Sequence, residues 1–132
     1  MKNFISFVLA IPLILFGDSE FLYDASSNLA KKQLPNGDYV AWEYDLCNRP
    51  VKISAAGTSP VNFKYDAAGN CIEILDEQGI TKYSYDSLNR LAAIGHPFLG
   101  TVGYSYDPRG KLNAIYIPMD QSSGTSMILL AD

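Results

Sequence analysis

The sequence predicts an all-β protein, an antiparallel meander of β-hairpins forming one open sheet. Three observations carry that prediction. A Tyr-Asp pair recurs at Tyr23-Asp24, Tyr44-Asp45, Tyr65-Asp66, Tyr85-Asp86 and Tyr106-Asp107, in steps of 21, 21, 20 and 21 residues. Apolar and polar residues alternate on both sides of most pairs, and turn-forming residues follow each pair. A fixed period of this size marks a repeat architecture, and a period-2 alternation marks strands.

The incoming arm of each unit ends at the Tyr. Two residues earlier stands another aromatic: Phe21, Trp42, Phe63, Tyr83 and Tyr104. Four residues before the Tyr are Ser19, Val40, Val61, Thr81 and Val102, and Glu43, Lys64, Ser84 and Ser105 separate the later aromatic pairs. β-Branched and aromatic residues in strict alternation with polar ones suit a pleated arm with one buried face. In the turn after the pair, Gly or Asn holds the fourth place in four copies (Asn48, Gly69, Asn89, Gly110), where a positive φ is expected. The leading Asp is placed to accept hydrogen bonds from the backbone two residues on.

The outgoing arm alternates again: Val51/Ile53, Ile72/Ile74, Ala92/Ile94 and Asn113/Ile115/Ile117, with Lys52, Glu73, Ala93 and Ala114 on its other face. Return turns follow at Pro35-Asn36-Gly37, Gly57, Gln78-Gly79 and a longer loop from Gly95 to Gly100. Each unit is therefore a hairpin, and the whole has about ten short strands. The first copy departs most, with Ser26-Ser27-Asn28 in its turn and Lys31-Lys32 where later copies place an Ile, as a terminal unit often does.

The two ends leave the pattern. Met1, Lys2 and Asn3 precede thirteen uncharged, mostly apolar residues, Phe4 to Phe16, and then Gly17-Asp18-Ser19. This reads as a signal peptide, residues 1–19, cleaved before Glu20. The alternative is a buried N-terminal strand or helix. Thirteen residues fall short of the roughly 20 that a stable membrane span needs. Export to the medium or the cell envelope is the expected localisation. Residues 20–117 form the repeat domain. Residues 118–132 form a C-terminal tail: a Gln-Ser-Ser-Gly-Thr-Ser linker, then Met127–Ala131, either a last strand or loose chain.

Loss of Lys2 and Asp18 leaves nine basic against thirteen acidic residues, so the net charge stays at −4. No basic run or stripe supports a nucleic-acid surface.

The unit Tyr-x-Tyr-Asp-x-x-(Gly/Asn)-(Asn/Arg/Lys), at about 21-residue spacing over residues 21–117, resembles the YD repeat. That repeat occurs in bacterial RHS proteins, the C components of insecticidal toxin complexes, cell-wall-associated proteins and teneurins. The resemblance implies hairpins joined edge to edge into a curved sheet, a segment of the wall of an RHS shell. In toxins such a shell encloses an effector, and a core segment with a self-cleaving aspartate closes it. Family shells contain many more than five repeats. After Ile117 nothing matches the closing segment, and no effector follows. Asp107-Pro108 belongs to a repeat turn, so the protease role is not transferred to it.

Four features remain as candidate sites. The aromatic ladder is expected to form the sheet's own core; with its rings exposed it would instead offer a stacking platform for sugars. The row of Asp24, Asp45, Asp66, Asp86 and Asp107 is expected about 10 Å apart at two strand spacings. That is too wide for one Ca²⁺ to bridge, and Arg49, Arg90 and Lys111 stand four residues after their Asp, so turn capping is the expected role. Cys47 and Cys71 lie a hairpin apart, whereas a disulfide requires Cα atoms within about 7 Å. Two Cys and one His fall short of a zinc set. His96 falls in the long return loop with no nucleophile motif nearby. No catalytic, cofactor or metal residue is expected.

A hairpin sheet with one apolar face must bury it, and its unpaired edges invite pairing with another chain. The composition, 48% apolar and 12% aromatic, supplies a core only if something covers the sheet. The expected function is structural: an exported, non-enzymatic wall segment that self-associates through its edges or joins another RHS or toxin component. The alternative is a small extracellular carbohydrate-binding module with a glycan as ligand.

Overall fold

The computed structural model describes residues 19–118 and 126–130; the expected signal peptide lies outside the described residues but for Ser19. The described chain is all strand and turn, without a helix. No helix there is long and apolar enough to cross a membrane. The strands are β1 (Glu20–Tyr23), β2 (Leu29–Gln33), β3 (Tyr39–Tyr44), β4 (Pro50–Ala55), β5 (Val61–Tyr65), β6 (Cys71–Asp76), β7 (Gly79–Tyr85), β8 (Leu91–His96), β9 (Gly100–Tyr106), β10 (Leu112–Pro118) and β11 (Ser126–Leu130). They form one open sheet in sequence order, each antiparallel to the next where the register is resolved. The chain divides into two compact units between Asn62 and Phe63, within β5.

In the first unit, Trp42 faces Ile53 and Val40 faces Ala55, while Glu43 faces Lys52 on the opposite side. The side chains of that charged pair meet at 2.8 Å. In the second unit, Tyr83 faces Ile94 and Tyr104 faces Ile115, with Ser84 opposite Ala93 and Ser105 opposite Ala114. The alternation thus sorts aromatic–aliphatic pairs onto one face and charged or small residues onto the other. Cross-strand pairs of the first kind are worth about 0.2–1 kcal/mol each.

Burial follows a different rule from the one the alternation suggests. Within the ladder the rings from Trp42 to Tyr106 are half-buried, not enclosed. Among the described residues Ala114, at 2% exposure, is the buried hydrophobic residue, and it lies on the small-residue face. Cross-strand neighbours cover each ring laterally. Small side chains opposite one another leave little surface to expose, and the Ser105 hydroxyl beside Ala114 is enclosed without a hydrogen-bond partner among the described residues.

One local expectation changes. The last return turn is shorter than the sequence suggests, because β8 continues through Gly95 to His96, which pairs with Gly100 across a three-residue turn, 97–99. His96 is therefore a strand-end residue. Glycines need no side-chain room, so Gly95 joins the ladder opposite Lys82 and Thr101. In the tail, Ser126–Leu130 pairs with β10, Ala114 facing Leu130 and Ile117 facing Met127. The same outgoing-arm positions pair one repeat earlier, where Ala93 faces Gly103 and His96 faces Gly100, but the partner strand there lies 27 residues before its counterpart rather than 21. β11 holds the place of a further incoming arm.

Candidate functional site

The repeated chemistry gathers at the Tyr-Asp turn. In all five copies the Asp backbone N–H donates to the carbonyl four residues on, and its carbonyl accepts from the N–H three residues on. The second bond needs the intervening chain to reverse sharply, so the fourth turn residue takes a left-handed conformation: Ser27 (φ 66°), Asn48 (58°), Gly69 (92°), Asn89 (59°) and Gly110 (86°). Asn and Gly tolerate that region best, whereas Ser27 does so at a cost.

The Asp carboxylate then closes the turn. One oxygen of Asp86 accepts from the N–H groups of Leu88 and Arg90, both at 2.9 Å, while the other accepts from Arg90 Nε at 2.7 Å. Asp45 repeats this with Cys47 and Arg49. Asp24 and Asp66 use the side-chain amides of Asn28 and Asn70 in place of the guanidinium. Asp107 keeps the two backbone bonds, from Arg109 and Lys111.

These donors favour the charged form, so four carboxyls lie below their ordinary range. For Asp45 the largest cause is the Arg49 side chain, and for Asp66 the Asn70 side chain. For Asp24 and Asp86 it is the backbone N–H of Asn28 and of Arg90. The donors described above all belong to the turn of the Asp they bond. Turn capping is the chemistry the row performs.

Successive hairpins are tied by two further bonds. The Tyr44 hydroxyl donates to the Leu29 carbonyl at 3.0 Å, Tyr85 to Cys71 at 2.8 Å, and Tyr106 to Leu91 at 2.9 Å. Each acceptor is the first residue of the preceding hairpin's outgoing arm. Burial, chiefly, holds the Tyr85 phenol above its ordinary value, so it remains a donor well into the alkaline range. At the turns, Asn28 Nδ2 donates to Asn48 Oδ1 at 2.8 Å, and Asn70 Nδ2 to Asn89 Oδ1 at 3.0 Å. Sequence reasoning placed Tyr and Asp in each hairpin but missed these bonds between hairpins. The recurrence of a hydroxyl-bearing Tyr, never Phe, in the last aromatic position was the available signal.

The remaining candidates do not converge. Cys47 is exposed, Cys71 is half-buried, and both thiols are free. The Cys71 thiol lies 3.7 Å from the Glu73 carbonyl. His96 Nδ1 accepts from the Phe98 N–H at 3.2 Å, and its ring stands 5.9 Å from the Phe98 ring. Among the described residues no three His, Cys, Asp or Glu side chains are grouped to hold a metal ion. A shallow depression of about 470 Å³ on the small-residue face of the second unit involves Glu73, Lys82, Ser84, Ala93, Gly95 and Thr101. Its floor is shaped by missing side chains rather than by convergent polar groups.

Comparison with known proteins agrees with this arrangement. A profile of the teneurin YD-shell family matches residues 17–125. No curated protein sequence matches the chain. Among solved structures, the Tc holotoxin pore of Photorhabdus luminescens, with a mutated TccC3, superposes with a TM-score of 0.70 at 17% identity, over 83% of this chain and 7% of that one. TcdB2–TccC3 without its hypervariable C-terminal region gives 0.66 at 24% identity, over 75% and 5%. TcdB2–TccC3–Cdc42 gives 0.64 at 19% identity, over 87% and 8%. The chain spans less than a tenth of each of these chains, and at such identities the likeness is one of fold. The family profile covers most of the sequence, and the turn and tyrosine bonds recur with its repeat: the chain belongs to the teneurin YD-shell family of RHS/YD-repeat proteins.

Proposed function

We propose that the protein is an exported, non-enzymatic structural element, a wall segment of a YD shell that joins another RHS or toxin component through its sheet edges. The observation that carries this reading is the tyrosine bond itself. Tyr44, Tyr85 and Tyr106 each bond the hairpin before them, so the repeated residues serve continuation of the sheet. The toxin-complex structures with the same fold support a partner of that class, and the apolar residues 4–16 support export. The carbohydrate reading has less to stand on, because within the ladder the exposed rings are those of Phe21 and Tyr23.

The test is the mass and circular dichroism of the purified mature chain, Glu20–Asp132, by light scattering behind size exclusion. A β-rich species that forms a defined oligomer, or that co-elutes with a toxin-complex C component, is the expected result. A β-rich monomer indifferent to that component overturns the reading. Export is checked separately by N-terminal sequencing of the secreted protein, expected to begin at Glu20.

A further inference from the structure

We infer that β1 is a docking edge for the outgoing arm of another YD-type hairpin, and that the Tyr23 hydroxyl fixes the register of the incoming strand. This rests on the wall-segment reading and names the site and partner that it leaves open.

Three observations converge on β1. It has one strand neighbour, β2, among the described residues. Its ladder rings, Phe21 and Tyr23, are 48% and 52% exposed, whereas their counterparts in later repeats are half-buried. Among the described residues the Tyr23 hydroxyl makes no hydrogen bond, although the structure places a carbonyl against the hydroxyls of Tyr44, Tyr85 and Tyr106. The edge therefore presents the half of a repeated contact that needs a second arm.

The register follows from the repeats that are complete. The residue three before the Tyr always faces the residue two after the carbonyl acceptor. Ala41 faces Lys31 where Tyr44 bonds Leu29. Lys82 faces Glu73 where Tyr85 bonds Cys71. Gly103 faces Ala93 where Tyr106 bonds Leu91. Applied to Tyr23, the rule places Glu20 opposite the fourth residue after an incoming Asp-turn's fourth position, and the carbonyl two residues earlier on Tyr23.

Charge and burial then select the arm. Glu20 is exposed on the charged face, and Phe21 stands on the aromatic face. An arm with a cation opposite Glu20 and a β-branched aliphatic opposite Phe21 complements both. The second hairpin's own outgoing arm has that pattern, with Val51 before Lys52 and Pro50 at the acceptor position. A strand of this type adds main-chain bonds along β1, with side-chain pairing setting the choice of partner.

The probe is a capped synthetic peptide of residues 49–56, added to the ¹⁵N-labelled full chain and followed by amide exchange. Slowed exchange at Glu20–Tyr23 is expected. Tyr23→Phe should weaken binding about three- to tenfold, as loss of one hydrogen bond does, without moving the urea midpoint of the free chain. A Lys52→Glu peptide should bind more weakly still. Absence of binding, protection confined to β11, or equal affinity for the Tyr23→Phe chain would each overturn the inference. The two readings fail separately. A chain that joins a toxin component with no protection at β1 sinks the docking edge alone, whereas an inert monomer sinks the wall segment.

Discussion

The first hairpin and the fourth are written alike and finished differently. Both place an aromatic two residues before a Tyr-Asp pair, and both close the turn on an Asp carboxylate. In the fourth, Tyr83 faces Ile94 and the Tyr85 hydroxyl reaches the Cys71 carbonyl of the hairpin before it. In the first, Phe21 faces Lys32, whose ammonium lies 5.5 Å from its ring, and among the described residues the Tyr23 hydroxyl makes no hydrogen bond. The difference teaches that the repeat stores its stabilisation between hairpins. A hairpin holds its own turn by local hydrogen bonds, but its tyrosine needs the arm that precedes it. An isolated two-stranded hairpin is marginal in water for the same reason.

Substitutions can break this contrast in a graded way. The largest difference is expected between Tyr106→Ala and Tyr23→Ala. The Tyr106 ring lies 4.5 Å from the Arg90 guanidinium, and its hydroxyl is bonded, so its loss should cost about 2–3 kcal/mol in urea unfolding. Tyr23→Ala, at an exposed edge, should cost under about 0.5 kcal/mol. A comparable loss at both sites would mean that Tyr23 has a partner in the free chain.

Acid should act on the turns of both hairpins together. Asp24, Asp45, Asp66 and Asp86 have folded values held below their ordinary ones, so the folded state binds protons less readily than the unfolded chain. Their contribution is complete above the unfolded carboxylate value near 4 and disappears as pH falls through the lower folded values. The urea midpoint should therefore drop below about pH 4, and Asp86→Asn should flatten that slope. An unchanged slope would place the acid sensitivity outside the turns.

Tyr85→Phe isolates the hydroxyl from the ring. It should destabilise by about 1 kcal/mol, while Tyr23→Phe changes nothing measurable in the free chain. The smallest effect sharpens the comparison from the other side. Ser27 takes φ 66° where Gly69 and Gly110 serve later turns, so Ser27→Gly should stabilise the first hairpin by about 0.5–1 kcal/mol. Gly110→Ala should cost a similar amount.

Much of the fold was legible because its determinants are local. Period-2 alternation through Val40, Trp42 and Tyr44 specifies an arm, and Asp-x-x-Asn or Asp-x-x-Gly specifies a turn in which the carboxylate and the positive φ cooperate. The residues at risk of being read as a metal row, the five Asp, were recognisable as caps because their spacing is too wide for one ion and Arg49, Arg90 and Lys111 stand four residues after their Asp. His96 was misread because a strand containing Gly95 carries no side-chain signal; its place opposite Gly100 depends on the neighbouring arm.

The sequence by itself determined the hairpin, its period and the orientation of its faces, since each depends on residues within about twenty positions. Only the tertiary structure decided which groups are satisfied by a neighbour. It seated Tyr44, Tyr85 and Tyr106 on carbonyls some fifteen residues away, enclosed Ala114 rather than the larger rings, and left the Tyr23 hydroxyl without an acceptor among the described residues. Those outcomes depend on the register and succession of whole arms. The physical reason is that a hydroxyl is a donor in any sequence, but whether it has an acceptor depends on the strand beside it.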